Sequence, residues 1–161
     1  MTKSSHESSH EIEVADDQKI PIDTAPLIAA AEAIFSDFDF GNSELSIALV
    51  DDAKIRVLNN QYLEHDYATD VISFIIDSTD DLIVGQLIVS TETAQRVAKE
   101  IGVPMEHELM LYVVHGTLHL VGLDDTDDAS AKKMRATEAE YLGRFNIAHV
   151  WETDLETTGD K

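Results

Sequence analysis

From residue 104 to residue 122 the chain reads P-M-E-H-E-L-M-L-Y-V-V-H-G-T-L-H-L-V-G. Leu109, Leu111, Val113, Val114, Leu118 and Leu120 put apolar side chains on nearly every face of a helix. Such a helix is stable only where other elements cover it all round, so the sequence predicts a buried central helix. Proline suits its first turn, Glu106 and Glu108 suit the positive end of its dipole, and Gly122 stops it. Within its most apolar half sit His115 and His119. An imidazole buried there is costly unless it has a partner.

The rest of the chain supplies the cover. E-I-E-V, residues 11–14, alternates like a strand, and residues 26–38 place Leu27, Ala30, Ala31, Ile34 and Phe38 at helical spacing. G-N-S, residues 41–43, breaks the chain before a strand at 44–50, after which Asp51 can cap a helix running to about Tyr62. Residues 71–76 and 82–90 read as strands joined by D-S-T-D-D, which predicts an antiparallel pair. Thr91 begins another helix. After the acidic loop D-D-T-D-D, residues 124–128, a last helix over 129–145 carries Met134, Glu138, Tyr141, Leu142 and Phe145 on one stripe. The expected class is α+β: a small mixed sheet of about four strands packed with about five helices.

A chain of 161 residues suits one domain. Its formal net charge of -21 repels polyanions and anionic lipid on average, and the acidity is spread over body and ends alike. The expected boundaries are an acidic, disordered leader at 1–18, a single domain at 19–148 and an acidic tail at 149–161. His6 and His10, in the leader, are given no role. Bases are grouped at Arg96 and Lys99 and at Lys132, Lys133 and Arg135, where solvated helix surface explains them. Without cysteine there is no disulfide framework, thiolate nucleophile or Cys-type zinc site. With no secretory signal and no apolar run of membrane-spanning length, a cytoplasmic location is expected.

His115 and His119 lie one helical turn apart, so both rings project from one face and can converge on one ion. Gly122 allows a sharp turn, and Asp125, three residues on, can return beneath the helix as a third ligand. Asp124 is the fallback if the loop is shifted by one residue. Two histidines and a carboxylate leave a coordination position open for water, the catalytic pattern for zinc, and a hydrolase follows. H-x-x-x-H alone also describes two satisfied core histidines; the glycine and carboxylate at the return spacing favour metal. His107 is about 12 Å further along the helix from His115 and too far to share the ion. The H-E-x-x-H peptidases need a glutamate where this chain has Gly116.

H-G-T-L-H-L-V-G-L-D-D, residues 115–125, resembles the signature H-G-x-L-H-L-x-G-x-D-H of the YbeY family, bacterial endoribonucleases that mature ribosomal RNA. L-N-N-Q-Y-L-E-H-D-Y-A-T-D-V-I-S-F, residues 58–74, resembles a second family motif. G-Q-L-I-V-S, residues 85–90, resembles a family strand, and Met134, Glu138, Tyr141 and Leu142 resemble its closing helix. The match runs in order over residues 44–142. It implies a metal-dependent, single-strand-specific endoribonuclease of ribosomal RNA maturation and ribosome quality control, with RNA and the small ribosomal subunit as partners. One Zn²⁺ or another divalent transition metal per chain would be held by His115, His119 and Asp125, which are also the expected catalytic residues. Thr69, Asp70 and Ser73 are the expected substrate contacts, though loop and strand structure explains them equally well.

The chain departs from the family pattern at four places. Asp125 replaces the third histidine. Leu63 stands where the family has arginine, removing a bidentate phosphate donor. Gln86 replaces an aspartate and Ile75 a proline; His65 is the nearest substitute cation for Leu63 and otherwise an ordinary loop residue. These departures keep a second class open, a non-catalytic ribosome-assembly factor with the same fold, and zinc peptidase activity remains a third. Cleavage of single-stranded RNA that is lost on chelation separates the first from the others.

Overall fold

The computed structural model describes residues 9–66 and 68–148. In chain order the elements are β1 (Ser9–Asp16), α1 (Ala25–Asp37), β2 (Asn42–Val50), α2 (Asp52–Leu63), β3 (Val71–Ser78), β4 (Leu82–Ser90), α3 (Thr91–Ile101), α4 (Met105–Leu120) and α5 (Asp128–Arg144). The strands form one sheet in the order β1-β2-β4-β3. β1 and β4 run parallel to β2, while β3 is antiparallel to β4 across the tight acidic connection. Parallel neighbours need crossovers, and α1 supplies one between β1 and β2, while α2 and β3 lie between β2 and β4. This is the α+β fold with a small mixed sheet that the patterning predicted.

Strand alternation sorts the side chains into two layers. Leu45, Ile47 and Leu49 of β2 and Ile83, Leu87 and Val89 of β4 pack with α1, α4 and α5 in the main core. On the other face Val50, Ile72 and Ile88 pack with Ile55 of α2 in a smaller cluster. α4 is the hub of the larger layer, in contact with α1, α3, α5, β3 and β4. Leu109, Val113, Val114 and Leu118 are at most 1% exposed, as an all-round apolar helix requires. Each such side chain contributes roughly 1.5–3 kcal/mol by leaving water.

Two glycines let α4 lie close on the sheet. A Cβ on Gly116 would come within 2.8 Å of Leu87 Cδ2 and 3.1 Å of Val71 Cγ2. One on Gly85 would meet Leu120 Cδ1 at 2.9 Å and the Phe74 carbonyl oxygen at 3.2 Å. The glycine after His115 and the glycine of β4 therefore serve the same contact from its two sides, and they press the histidine-bearing half of α4 against β3 and β4.

Where β2 and β4 end, a polar cluster joins the starts of two helices. The Asp51 side chain accepts from the Lys54 amide and caps α2, and Ser90 accepts from the Thr93 amide and caps α3, which begins at Thr91 as the sequence predicts. Asp52 Oδ1 accepts from Ser90 Oγ at 2.5 Å and Thr93 Oγ1 at 2.6 Å, and Oδ2 pairs with Arg96 at 3.0 Å. Arg96 is thus committed to an aspartate, not spread on a free basic surface.

The expected leader at 1–18 overlaps the fold. Ser9–Asp16 is β1, an edge strand in register with Asn42–Leu49, so the domain begins by residue 9 and not at 19. Ile12 and Val14 pack on the main core, and the intervening acids face out. His10 also has a place: its Nδ1 lies 2.7 Å from Ser43 Oγ and its ring stacks on Phe35 at 6.1 Å. Residues 1–8 and 149–161, including His6 and the acidic tail, lie outside the described residues.

Candidate metal centre

The backbone turn comes first. Val121 ends α4, and Gly122 follows at φ 110°, a left-handed value that glycine adopts without a Cβ penalty. The Gly122 amide donates to the His119 carbonyl and the Leu123 amide to the Leu118 carbonyl, which folds the chain back along the helix end. The Leu123 carbonyl then lies 3.0 Å from His119 Nδ1. Two residues later Asp125 comes alongside the histidine pair, with Oδ2 3.7 Å from His115 Nε2 and Oδ1 3.9 Å from His119 Nε2. Asp124 instead turns into the loop, where the Thr126 hydroxyl lies 3.4 Å from its Oδ1.

The outer nitrogens fix the two rings. A carbonyl oxygen can only accept, so His119 carries its proton on Nδ1 and presents a lone pair on Nε2. His115 Nδ1 is hydrogen-bonded to the Glu138 carboxylate of α5, so its donor also points outward. Both Nε2 atoms therefore face inward, 3.0 Å apart, with Asp125 as the third corner. Two lone pairs at that distance repel unless a positive bridge, a proton or a metal ion, lies between them. Burial opposes charge on His115, but the hydrogen bond and charge of Glu138, with Asp125 and Asp70 beyond, outweigh it and hold its pKa above the ordinary histidine value.

A metal ion fits the same place. His115, His119 and Asp125 are the one group of three candidate ligands found among the described residues, with ligand atoms all within 4.8 Å of one another. An ion held at about 2.0–2.2 Å by each donor in tetrahedral geometry separates donors by roughly 3.4 Å. The observed 3.0, 3.7 and 3.9 Å straddle that value. The histidine side chains are 26% and 29% exposed and Asp125 45%, so one side of the group opens to solvent.

α5 is tied firmly enough to hold Glu138 in place. Met134, Tyr141 and Leu142 are buried, Asp127 caps the helix through Ser130, and the Tyr141 hydroxyl donates to Asp37 of α1 at 2.9 Å. The sequence stripe marked Glu138 as core-facing but offered no partner for it, because that partner lies 23 residues earlier on another helix.

The other expected residues are placed unevenly. Asp70 is exposed, accepts from the Val71 amide at 2.7 Å, and contributes to the field at His115. Ser73 lies on the same face of β3 as Val71, which borders Gly116, so it faces the α4 side of the sheet. Thr69 turns its hydroxyl toward the Asp70 carboxylate at 3.4 Å. His107 is half-buried near the start of α4 and outside the metal group. Leu63 ends α2 and is 44% exposed. Gln86 alternates with Gly85 and Leu87 and therefore points to the α2 face, away from the histidines.

With this geometry in view, the comparisons with known proteins are specific. The family model for Endoribonuclease YbeY matches residues 6–146. The chain belongs to the YbeY family. It is similar to an endoribonuclease YbeY of Syntrophotalea carbinolica, 38% identical over 135 residues that cover 80% of this chain and 89% of that one. It is also similar to that of Pseudomonas entomophila, 42% identical over 65% of this chain and 69% of the relative. Among solved structures, the solution structure of TM1509 from Thermotoga maritima aligns with a TM-score of 0.60 at 25% identity, over 84% of this chain and 91% of that one. The family match begins at residue 6, in keeping with β1 as part of the fold. Among the described residues no helix is long and apolar enough to cross a membrane.

Proposed function

We propose that this chain is a metal-dependent endoribonuclease that cuts single-stranded RNA in the cytoplasm, with ribosomal RNA of the small subunit as its substrate. The observation that carries the metal part is the pair of Nε2 lone pairs 3.0 Å apart, with a carboxylate closing the triangle. The RNA part rests on the family and on its relatives' names, endoribonuclease in each case.

His115, His119 and Asp125 would hold one Zn²⁺ or a similar divalent transition metal. When bound, such an ion supplies Lewis-acid stabilisation of a phosphodiester oxygen and lowers the pKa of coordinated water. Leu123 and Glu138 keep the two imidazoles aimed inward. Asp125, on the exposed side, leaves that side open for the scissile phosphate. Thr69, Asp70 and Ser73, on β3 and the loop before it, would contact and position the strand. Leu63 brings no phosphate donor, so binding depends on the centre itself more than an arginine at that position would demand.

The test is cleavage of a labelled single-stranded RNA and of its duplex form by purified protein with added zinc or manganese. Cutting of the single strand, lost on chelation and in His115→Ala, is expected. Absence of cutting at every metal concentration, with ribosome association retained, would instead make the chain a non-catalytic assembly factor.

A further inference from the structure

Glu138 is 2% exposed and sits on α5, yet its carboxylate is spent on His115 Nδ1. A buried carboxylate is costly unless its oxygens are used well, so its position beside the histidine pair calls for a reason beyond packing. The two rings differ in what holds them. His119 is held by the Leu123 carbonyl, part of the same helix end, and that contact forms with the Gly122 turn. His115 is held by a charged group delivered from a separate helix 23 residues later.

We propose that Glu138 is a positioning residue for the metal centre. It fixes His115 as the Nδ1–H tautomer, aims the Nε2 lone pair at the ion, and through its negative charge strengthens that nitrogen as a donor. This rests on the metal reading of the site given above. Partners of this kind typically change metal affinity by about 10–100-fold when removed. Glu138→Gln keeps size and an acceptor oxygen, but removes the charge and adds an amide donor that can turn toward Nδ1 and favour the wrong tautomer.

Two measurements on the full chain decide it. Zinc affinity is read by competition with a chromophoric chelator for wild type and Glu138→Gln, alongside the melting temperature of each metal-free protein. An affinity about 10–100-fold weaker in the variant with a similar melting temperature is expected. Unchanged zinc affinity, with or without lost stability, would make Glu138 a packing residue and overturn the proposal. No zinc binding by the wild type would overturn the metal reading itself, and the proposal with it. Independently of any variant's folding, nitrogen-15 NMR of the zinc-loaded wild type should show His115 protonated at Nδ1 and metallated at Nε2. The reverse assignment would overturn the proposal.

Discussion

Two polar clusters in this molecule each contain an aspartate and differ in what they leave over. At the ends of β2 and β4, Asp52 takes hydrogen bonds from Ser90 and Thr93 and pairs with Arg96, so both of its oxygens are engaged by donors. At the end of α4, His115, His119 and Asp125 bring acceptor atoms together, and their outer partners Glu138 and Leu123 enforce that arrangement. One cluster is closed, and its use is to join α2 to α3. The other presents acceptor atoms that a metal ion could complete. Donor and acceptor accounting therefore separates a closed network from one able to take a ligand.

The sharpest way to break this contrast is to remove a member of each cluster. His115→Ala should weaken zinc binding by more than about 100-fold, beyond the loss typical of outer-shell groups, and abolish RNA cutting. Chelator competition and gel assays read both. Asp125→Ala should cost roughly 10–100-fold in zinc affinity, while Asp125→His, which restores the family's ligand, should bind within that range of wild type or better. Asp52→Ala should do the opposite: a loss of about 1–3 kcal/mol in denaturant unfolding, with zinc affinity unchanged. Weakened metal binding in that variant would mean that the two clusters are coupled and the contrast false.

Smaller effects sharpen it. Gly122→Ala forces a Cβ into a left-handed conformation at φ 110° and should cost about 1–2 kcal/mol, together with weaker zinc binding, because the same turn places Leu123 and Asp125. For pH, burial raises the Asp52 pKa, but hydrogen bonds from Ser90, Thr93 and Arg96 outweigh it, and the net shift is downward from 3.8. A carboxylate with a depressed folded pKa stabilises above its unfolded value and loses that contribution as pH falls through the folded one. The stability gap between wild type and Asp52→Asn, measured by thermal melts, should therefore be full near neutral pH and shrink below about pH 4.

Much of this was legible in the sequence because it depends on local spacing. An all-round apolar helix must be central, and α4 is. A histidine pair at i and i+4 followed by glycine and aspartate sets a return geometry, and the structure brings Asp125, not Asp124, to the pair. What escaped is tertiary. Glu138 read as one more member of a core stripe, since no local rule links residues 23 positions apart on different helices. The alternation at residues 11–14 marks β1, but a domain boundary at 19 leaves it out, because its acids face outward on an edge strand, where acidic composition resembles that of a disordered segment. Gln86 departs from the family pattern, but only period-two alternation in the folded sheet shows that it lies on the face away from the histidines. The reasons for Gly116 and Gly85 appear only when α4 lies against β3 and β4.

The most direct test is metal content per chain by elemental analysis, on wild type and Asp125→Ala purified without chelator or affinity tag and then offered zinc. Close to one ion per wild-type chain, with clear loss in the variant, is expected if the two histidines and Asp125 form one site. A wild type that stays empty after incubation with zinc would contradict the account.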